Sequence, residues 1–121
     1  MIEKINLADK FASFSDRWSP KVVGEVNDAA VKVVKLEGAF EWHHHEREDE
    51  LFLVVKGRLT IRLRDQDDLV LDEGECAVIP RGVEHLPVAD GEAHVLLFEP
   101  NTTLNTGNLE NDRTVRVLER L

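Results

Sequence analysis

An all-β sandwich or barrel with a short N-terminal helix or arm is the fold this sequence predicts, on three observations. From Lys21 to Pro100 the chain is a succession of short runs rich in Val, Ile, Leu, Phe and Thr. Gly, Asn, Asp and Pro interrupt those runs at near-regular spacing, which is the pattern of many short strands. The length, 121 residues, suits one domain over residues 1–121 with a core barrel over about 21–100, large enough to bury a core without covalent staples.

The elements follow in order. Asn6 is a candidate N-cap for a helix from Leu7 to Phe14, in which Leu7, Phe11 and Phe14 share one face. Ser19-Pro20 stops it, because the residue before proline disfavours helical dihedrals. The predicted strands are Lys21 to Val26, Ala30 to Leu36, Phe40 to His44, Glu50 to Lys56, Arg58 to Arg64, Leu69 to Leu71, Glu75 to Ile79, Glu84 to Val88 and Ala93 to Phe98. Between them fall Asn27-Asp28, Gly38, Gly57, the polar run Asp65 to Asp68, Gly74, Pro80-Arg81-Gly82 and Asp90-Gly91. The polar tail from Asn101 regains apolar character at Val115, Val117, Leu118 and Leu121, as a strand or a helical turn packed outside the barrel.

Composition excludes several classes of function. The formal net charge is -9, with Lys and Arg scattered rather than striped, so phosphate backbones and anionic membranes are repelled and no nucleic acid or membrane partner is expected. The acidic start MIEKINLADKFASF lacks the apolar core of a secretory signal, and no apolar run is long enough to span a bilayer. Cys76 is the only cysteine, so no intrachain disulfide forms, which suits a cytoplasmic location. It is expected as a small buried hydrophobe rather than a nucleophile.

Chemistry is concentrated in two glycine-bounded segments. In GAFEWHHHEREDELFLVVKG, His43 and His45 are two apart, so in a strand they project from one face about 6.5 Å apart and can tilt toward a common point. His44 then faces the other way with Phe40 and Trp42. The turn from Glu46 to Asp49 reverses the chain, and Glu50 opens the next strand beside the histidines, on one face with Phe52 and Val54. His85 arrives from GECAVIPRGVEH, set at a strand start by the Pro-Arg-Gly turn. Imidazole nitrogens with one carboxylate oxygen suit one divalent transition metal ion, with Fe, Mn, Ni, Co and Zn all compatible. Glu48 is the rival carboxylate. Four protein donors leave one or two positions open on a five- or six-coordinate ion, which separates a catalytic site from a closed structural one.

These segments resemble the cupin family. Its first motif, G-x5-H-x-H-x(3,4)-E-x6-G, is met by Gly38, His43, His45, Glu50 and Gly57, with one residue fewer before His43. Its second, G-x5-P-x-G-x2-H-x3-N, is met by Gly74, Pro80, Gly82 and His85, with Ala89 where the motif has Asn. The chain is most similar to small single-domain cupins that carry an HxH…DELFLVxKG segment, then PxGVEH and an LLFEP…LNTGN ending. The resemblance implies a double-stranded β-helix, or jelly-roll barrel, and a homodimer. Members are frequently labelled sugar-phosphate isomerase-like (RmlC-like), but the fold hosts many activities and settles none.

The expected function is a metal-dependent enzyme acting on a small oxygen-bearing molecule, with dioxygenase, isomerase and lyase chemistry all open. The alternative is a non-catalytic cupin that binds a small molecule or sugar. Of the remaining candidates, Arg81 is placed where it can meet an anionic substrate or simply be exposed. His94 is expected in barrel packing, and Arg58, Arg62 and Arg64 on a solvent or rim face. Phe52 and Val78 are candidate cavity walls. The N-terminal arm from Met1 to Lys21 is a candidate for crossing to a partner, and the edge strands of a small sandwich also call for a second copy.

Overall fold

The computed structural model describes residues 2–121; the first residue of the proposed N-terminal arm therefore lies outside it. Helix α1 (Leu7–Ala12) is followed by seven strands, β1 (Lys21–Val26), β2 (Ala29–Ala39), β3 (Glu50–Lys56), β4 (Leu59–Leu63), β5 (Leu69–Leu71), β6 (Cys76–Ile79) and β7 (His85–Pro100). All pairings between these strands are antiparallel. The order is β1-β2-β7-β3-β6, and β4 pairs with both β5 and β7. No helix among the described residues is long and apolar enough to cross a membrane.

Strand β7 organises the molecule. Its C-terminal half, from Ala93 to Pro100, lies between β2 and β3, and its start, from His85 to Val88, pairs with β4. The two halves meet at a register slip. Leu36 pairs with Ala93 but Gly38 pairs with Ala89, so β7 spans four positions where β2 spans two. The surplus residues, Asp90, Gly91 and Glu92, are exposed. The extra length bends the strand from one half of the curved sheet to the other, as bulges do. Asp90-Gly91 is therefore a bulge inside one strand, not the turn between two strands that its composition predicts. Gly38 likewise bends β2 at φ 83° without ending it.

Inside the bend the apolar faces close on each other. Phe52 and Val54 of β3, Leu59 and Ile61 of β4, and Val95 and Leu97 of β7 are all buried. Each obeys the period-two pattern of a strand with one face inward. The helix starts as predicted, with the Asn6 side chain accepting from the Asp9 N–H at 3.0 Å. It ends at Ala12, before Phe14, because the Ser13 N–H turns back to the Lys10 carbonyl. Phe11 is buried and stacks on His94 of β7 with ring centroids 4.6 Å apart, so α1 covers the outside of its own chain's sheet.

Two further expectations change. Phe40 to His44 is not a ladder strand: it meets β7 through one isolated bridge, His43 to His85, and a hydrogen bond from the Phe40 N–H to the Pro87 carbonyl at 3.0 Å. The tail is neither strand nor helix. It runs through turns, leaves Val117 exposed, and closes on β1 where the Val22 N–H donates to the Glu119 carbonyl at 2.9 Å.

Candidate metal centre

The histidine segment is braced on both sides. On one side the His43 and His85 backbones exchange hydrogen bonds of 3.1 and 2.9 Å, and the Gly82 N–H donates to the His45 carbonyl at 2.8 Å. On the other, the His44 N–H donates to the Asn108 side chain at 2.9 Å, and the Asn108 N–H returns to the His44 carbonyl at 3.0 Å. Gly107 permits that approach. It sits at φ 59°, and a Cβ there would lie 2.3 Å from the His44 carbonyl oxygen. The Leu-Asn-Thr-Gly-Asn stretch, Leu104 to Asn108, is thus a buttress for the histidines.

With its edges held this way, the segment turns His43 and His45 inward as predicted. Both are buried, as are Glu50 and His85. The four ligand atoms lie within 4.8 Å of one another. Glu50 comes from a different direction than expected: β3 is flanked by β6 and β7, not by the histidine segment. The carboxylate therefore reaches the histidines across the barrel interior, and no hairpin delivers it. Its Oε1 is 3.3 Å from His45 Nε2 and 3.5 Å from His85 Nε2.

The donors are arranged for a cation. His43 Nδ1 lies 2.8 Å from the Glu41 carbonyl and His85 Nδ1 lies 2.9 Å from the Val83 carbonyl. Since a carbonyl only accepts, each Nδ1 carries the hydrogen and each Nε2 keeps its lone pair for the interior. Yet His85 Nε2, both nitrogens of His45 and Glu50 Oε1 are buried without any hydrogen-bond partner. One such orphan costs about 1–3 kcal/mol, and here several converge on one point. A divalent ion would satisfy them together, so the residues present fit a metal ion.

The electrostatics agree. Burial, then the neighbouring His85, pushes the His43 imidazole down to about 4, so it is neutral and able to ligate at ordinary pH. Burial alone would raise the Glu50 carboxyl, but contacts with Glu99, His45 and His85 hold it well below the usual range. Burial and the adjoining Glu50 carboxylate push Glu99 well above it.

Glu99 and its partner Lys32 were not singled out from sequence. Lys32 Nζ meets Glu99 Oε1 at 2.8 Å with both side chains almost fully buried. A signal was present: Val95, Leu97 and Glu99 alternate on the inward face of β7, and Ala30, Lys32, Val34 and Leu36 on that of β2. A charge at inward parity in an apolar strand demands a partner.

Beside the cluster lies a cavity of about 40 Å³, walled by Trp18, Phe40, Phe52 and Leu97 and reached by His43, Glu50, Glu99 and Asn105. Phe40 belongs to this wall, its ring edge-on to His43 at 5.3 Å, so strand parity placed it on the wrong face; Trp42 turns away, under Arg62 and Arg64, and so does His44, whose ring lies 3.8 Å from the exposed Glu46 carboxylate.

Other candidates lie elsewhere. Glu48 accepts from the Thr102 hydroxyl, and Asp49 pairs with an exposed Arg81. His94 packs beneath α1, as expected of a packing residue. Val78 is exposed and walls nothing, because it faces outward from the short edge strand β6. Cys76, at the start of the same strand, is exposed rather than buried. Arg58, Arg62 and Arg64 do lie on the solvent side, near Asp72, Asp68 and Glu84.

Comparison with known proteins gives a consistent picture. The family whose profile matches is described as the Cupin domain, over residues 31–101. An uncharacterized Bacillus subtilis protein, YdbB, is 38% identical over 77 residues, covering 64% of this chain. That match spans 62% of the Bacillus protein, less than two thirds of its length. A cupin-2 domain protein of known structure from Shewanella frigidimarina is 48% identical, with a TM-score of 0.78 over 80% of this chain and 94% of that one. A structure from Neisseria meningitidis is 29% identical, with a TM-score of 0.75 over 82% of this chain and all of the other.

Proposed function

The chain belongs to the cupin domain family, and on that premise we propose that it is a metal-dependent enzyme acting on a small oxygen-bearing molecule, with His43, His45, Glu50 and His85 as the metal ligands. The observation that carries this reading is the convergence of unpartnered buried donor atoms from His45, Glu50 and His85 beside a cavity. A bound Fe, Mn, Ni, Co or Zn ion would supply Lewis-acid polarisation of a substrate oxygen or, for a redox metal, oxidation chemistry. The chain itself does the rest. His43 and Glu50 reach the cavity, and Trp18, Phe40 and Phe52 give it apolar walls.

The test is metal content. Purified protein should carry close to one ion per chain, and His45→Ala/His85→Ala should carry almost none by elemental analysis. Stoichiometric metal in the double variant would end the proposal. A second reading, a cupin that binds without turnover, is favoured by the tightness of the cavity. Ligand binding that saturates with no product formed, in metal-loaded protein, would select it.

A homodimer is part of the same proposal. Val78 of β6 and Phe98 of β7 are exposed on either side of β3, both paired with Leu51, and β6 is an edge strand. A second copy would cover both. Sedimentation as a monomer at micromolar concentration would count against it.

A further inference from the structure

The pairing of charges singles out two arginines. Acidic side chains outnumber basic ones, 24 to 15, and seven of the nine arginines pair with a carboxylate. Arg81, which its sequence position made a candidate to meet an anionic substrate, is one of the seven, because Asp49 takes it. Among the described residues, Arg47 and Arg113 alone have no carboxylate partner. Both stand beside the candidate metal centre, at different openings. Arg47 lines the opening at His45 together with Glu46 and Glu48, where acids outnumber it. Arg113 stands at the cavity that His43 and Glu50 reach, and that cavity is open to solvent.

Arg113 is fixed in place. Its guanidinium carbon lies 5.3 Å from the centre of the Phe40 ring, and Nη1 donates to the Ala39 carbonyl at 3.2 Å. Its backbone N–H donates to the Asn111 side chain at 2.9 Å, and its carbonyl accepts from the Asn105 amide at 2.8 Å. Phe40 and Asn105 both line the cavity, so Arg113 borders it through two of its walls. The Phe40 ring centre is in turn 5.3 Å from that of His43. A single aromatic ring therefore stands between the guanidinium and a candidate metal ligand. Glu41, in the same segment, does not answer the charge: both its carboxylate oxygens accept from the Asn111 amide, at 3.2 and 2.9 Å. Most of the guanidinium N–H donors are left without a protein partner.

We propose that Arg113 is a specificity-determining residue that binds the carboxylate tail of a small substrate whose oxygen-bearing head faces the metal cluster. This rests on the metal reading above. The cavity is small, about 40 Å³, with mostly apolar walls, so a ligand longer than the cavity carries its far end out past Phe40. Among the described residues that line it there is no lysine or arginine, and Arg113 is the cation which that far end meets. A planar guanidinium pairs with a carboxylate through two parallel N–H donors. One guanidinium, committed in part to Ala39, matches a singly charged carboxylate better than a doubly charged phosphate ester. Asn105 and Asn111 are positioning residues, since they hold the Arg113 backbone at the rim.

The test uses full-length protein loaded with Co(II), whose visible spectrum reports ligands that reach the ion. The probe is 2-hydroxyglutarate. The control is 2-hydroxyvalerate, which has the same head and a methyl group in place of the tail carboxylate. Arg113→Met keeps an unbranched apolar stem over Phe40 and removes the charge, Arg113→Lys keeps the charge, and Arg47→Met is the comparison at the other opening. Wild type should bind the probe more tightly than the control. Arg113→Met should take up Co(II) normally, bind 2-hydroxyglutarate about tenfold more weakly, as loss of a charge-assisted hydrogen bond implies, and bind 2-hydroxyvalerate unchanged. Arg113→Lys should recover part of the loss, and added salt should narrow the gap between wild type and Arg113→Met. Arg47→Met should bind both ligands as the wild type does. Equal losses for both ligands in Arg113→Met would make the arginine a cover for Phe40 and overturn the proposal, as would an unchanged Arg113→Met or a selective loss in Arg47→Met. Wild type that takes up Co(II) but binds the two ligands alike would overturn this inference and leave the metal reading standing. Failure of the wild type to take up Co(II) would overturn the metal reading and this inference with it.

Discussion

The depressed His43 imidazole makes a quantitative prediction about the metal-free protein. In the unfolded chain this group takes up a proton near its ordinary value of 6.5, whereas in the folded chain it resists until about 4. Between those values the unfolded state binds more protons, so stability rises with pH across the window. The contribution is full above about pH 6.5, is lost progressively as pH falls toward 4, and changes no further below that. The gap of about 2.5 pH units, at about 1.4 kcal/mol each, gives about 3 kcal/mol. The side chain is 3% exposed, so solvent screening does not erode that figure much. Two other groups titrate nearby. Glu99, with its raised carboxyl, holds a proton that the unfolded chain releases, so it opposes the trend. Glu50, with its lowered carboxyl, acts chiefly below the ordinary carboxylate range. A comparison with His43→Gln removes both from consideration. The assay is urea unfolding in excess chelator at several pH values from 7.5 to 4.5. Wild type should lose most of the 3 kcal/mol relative to the variant across that range. A constant difference between the two proteins would refute the argument that burial, reinforced by His85, sets the His43 charge.

Three other perturbations follow from the packing. Glu99→Leu alone leaves the buried Lys32 ammonium without its carboxyl partner, and should cost about 3–5 kcal/mol in urea unfolding; Lys32→Met/Glu99→Leu should recover most of that, and a double variant as unstable as the single one would contradict the pairing. Gly107→Ala faces both a left-handed backbone and a collision with the His44 carbonyl. It should lower stability by about 2–4 kcal/mol and weaken Co(II) uptake at least tenfold in a competition titration, whereas wild-type behaviour would show that the tail does not brace the histidines. Cys76 is exposed, so a thiol reagent should label native and urea-unfolded protein at similar rates; protection in the native protein would place the thiol in an interface or in the core.

How much of this was legible in the sequence depends on the range of each interaction. Lys21–Val26, Glu50–Lys56 and Leu69–Leu71 begin and end where the alternation of side chains and the turn residues place them. His43, His45, Glu50 and His85 were legible because their spacing is a local property within each segment, and the barrel then closes the distance. What was not legible depends on partners far along the chain. The segment around His43 lacks a ladder because residues 106–108 and the start of β7 hold its backbone, and nothing within Phe40 to His44 announces either. Parity therefore failed for Phe40. Cys76 and Val78 were misplaced for a related reason. β6 is an edge strand, and an apolar composition cannot say which face a neighbour will cover.

Ala89, which stands where the family motif has Asn, shows why the site tolerates that departure. It is fully buried in the core and paired with Gly38, at the point where β7 begins its detour through Asp90 to Glu92. A larger polar side chain there would need both space and hydrogen-bond partners within the apolar core cluster to which Ala89 belongs. The bend is supplied instead by the bulge opposite Gly38. That bend lets one strand carry His85 at its start and Glu99 near its end to the same cavity region. β7 thus contributes His85 to the candidate ligand cluster and the buried Glu99 carboxyl beside the Glu50 member of that cluster, and a single bulge lets one strand supply both.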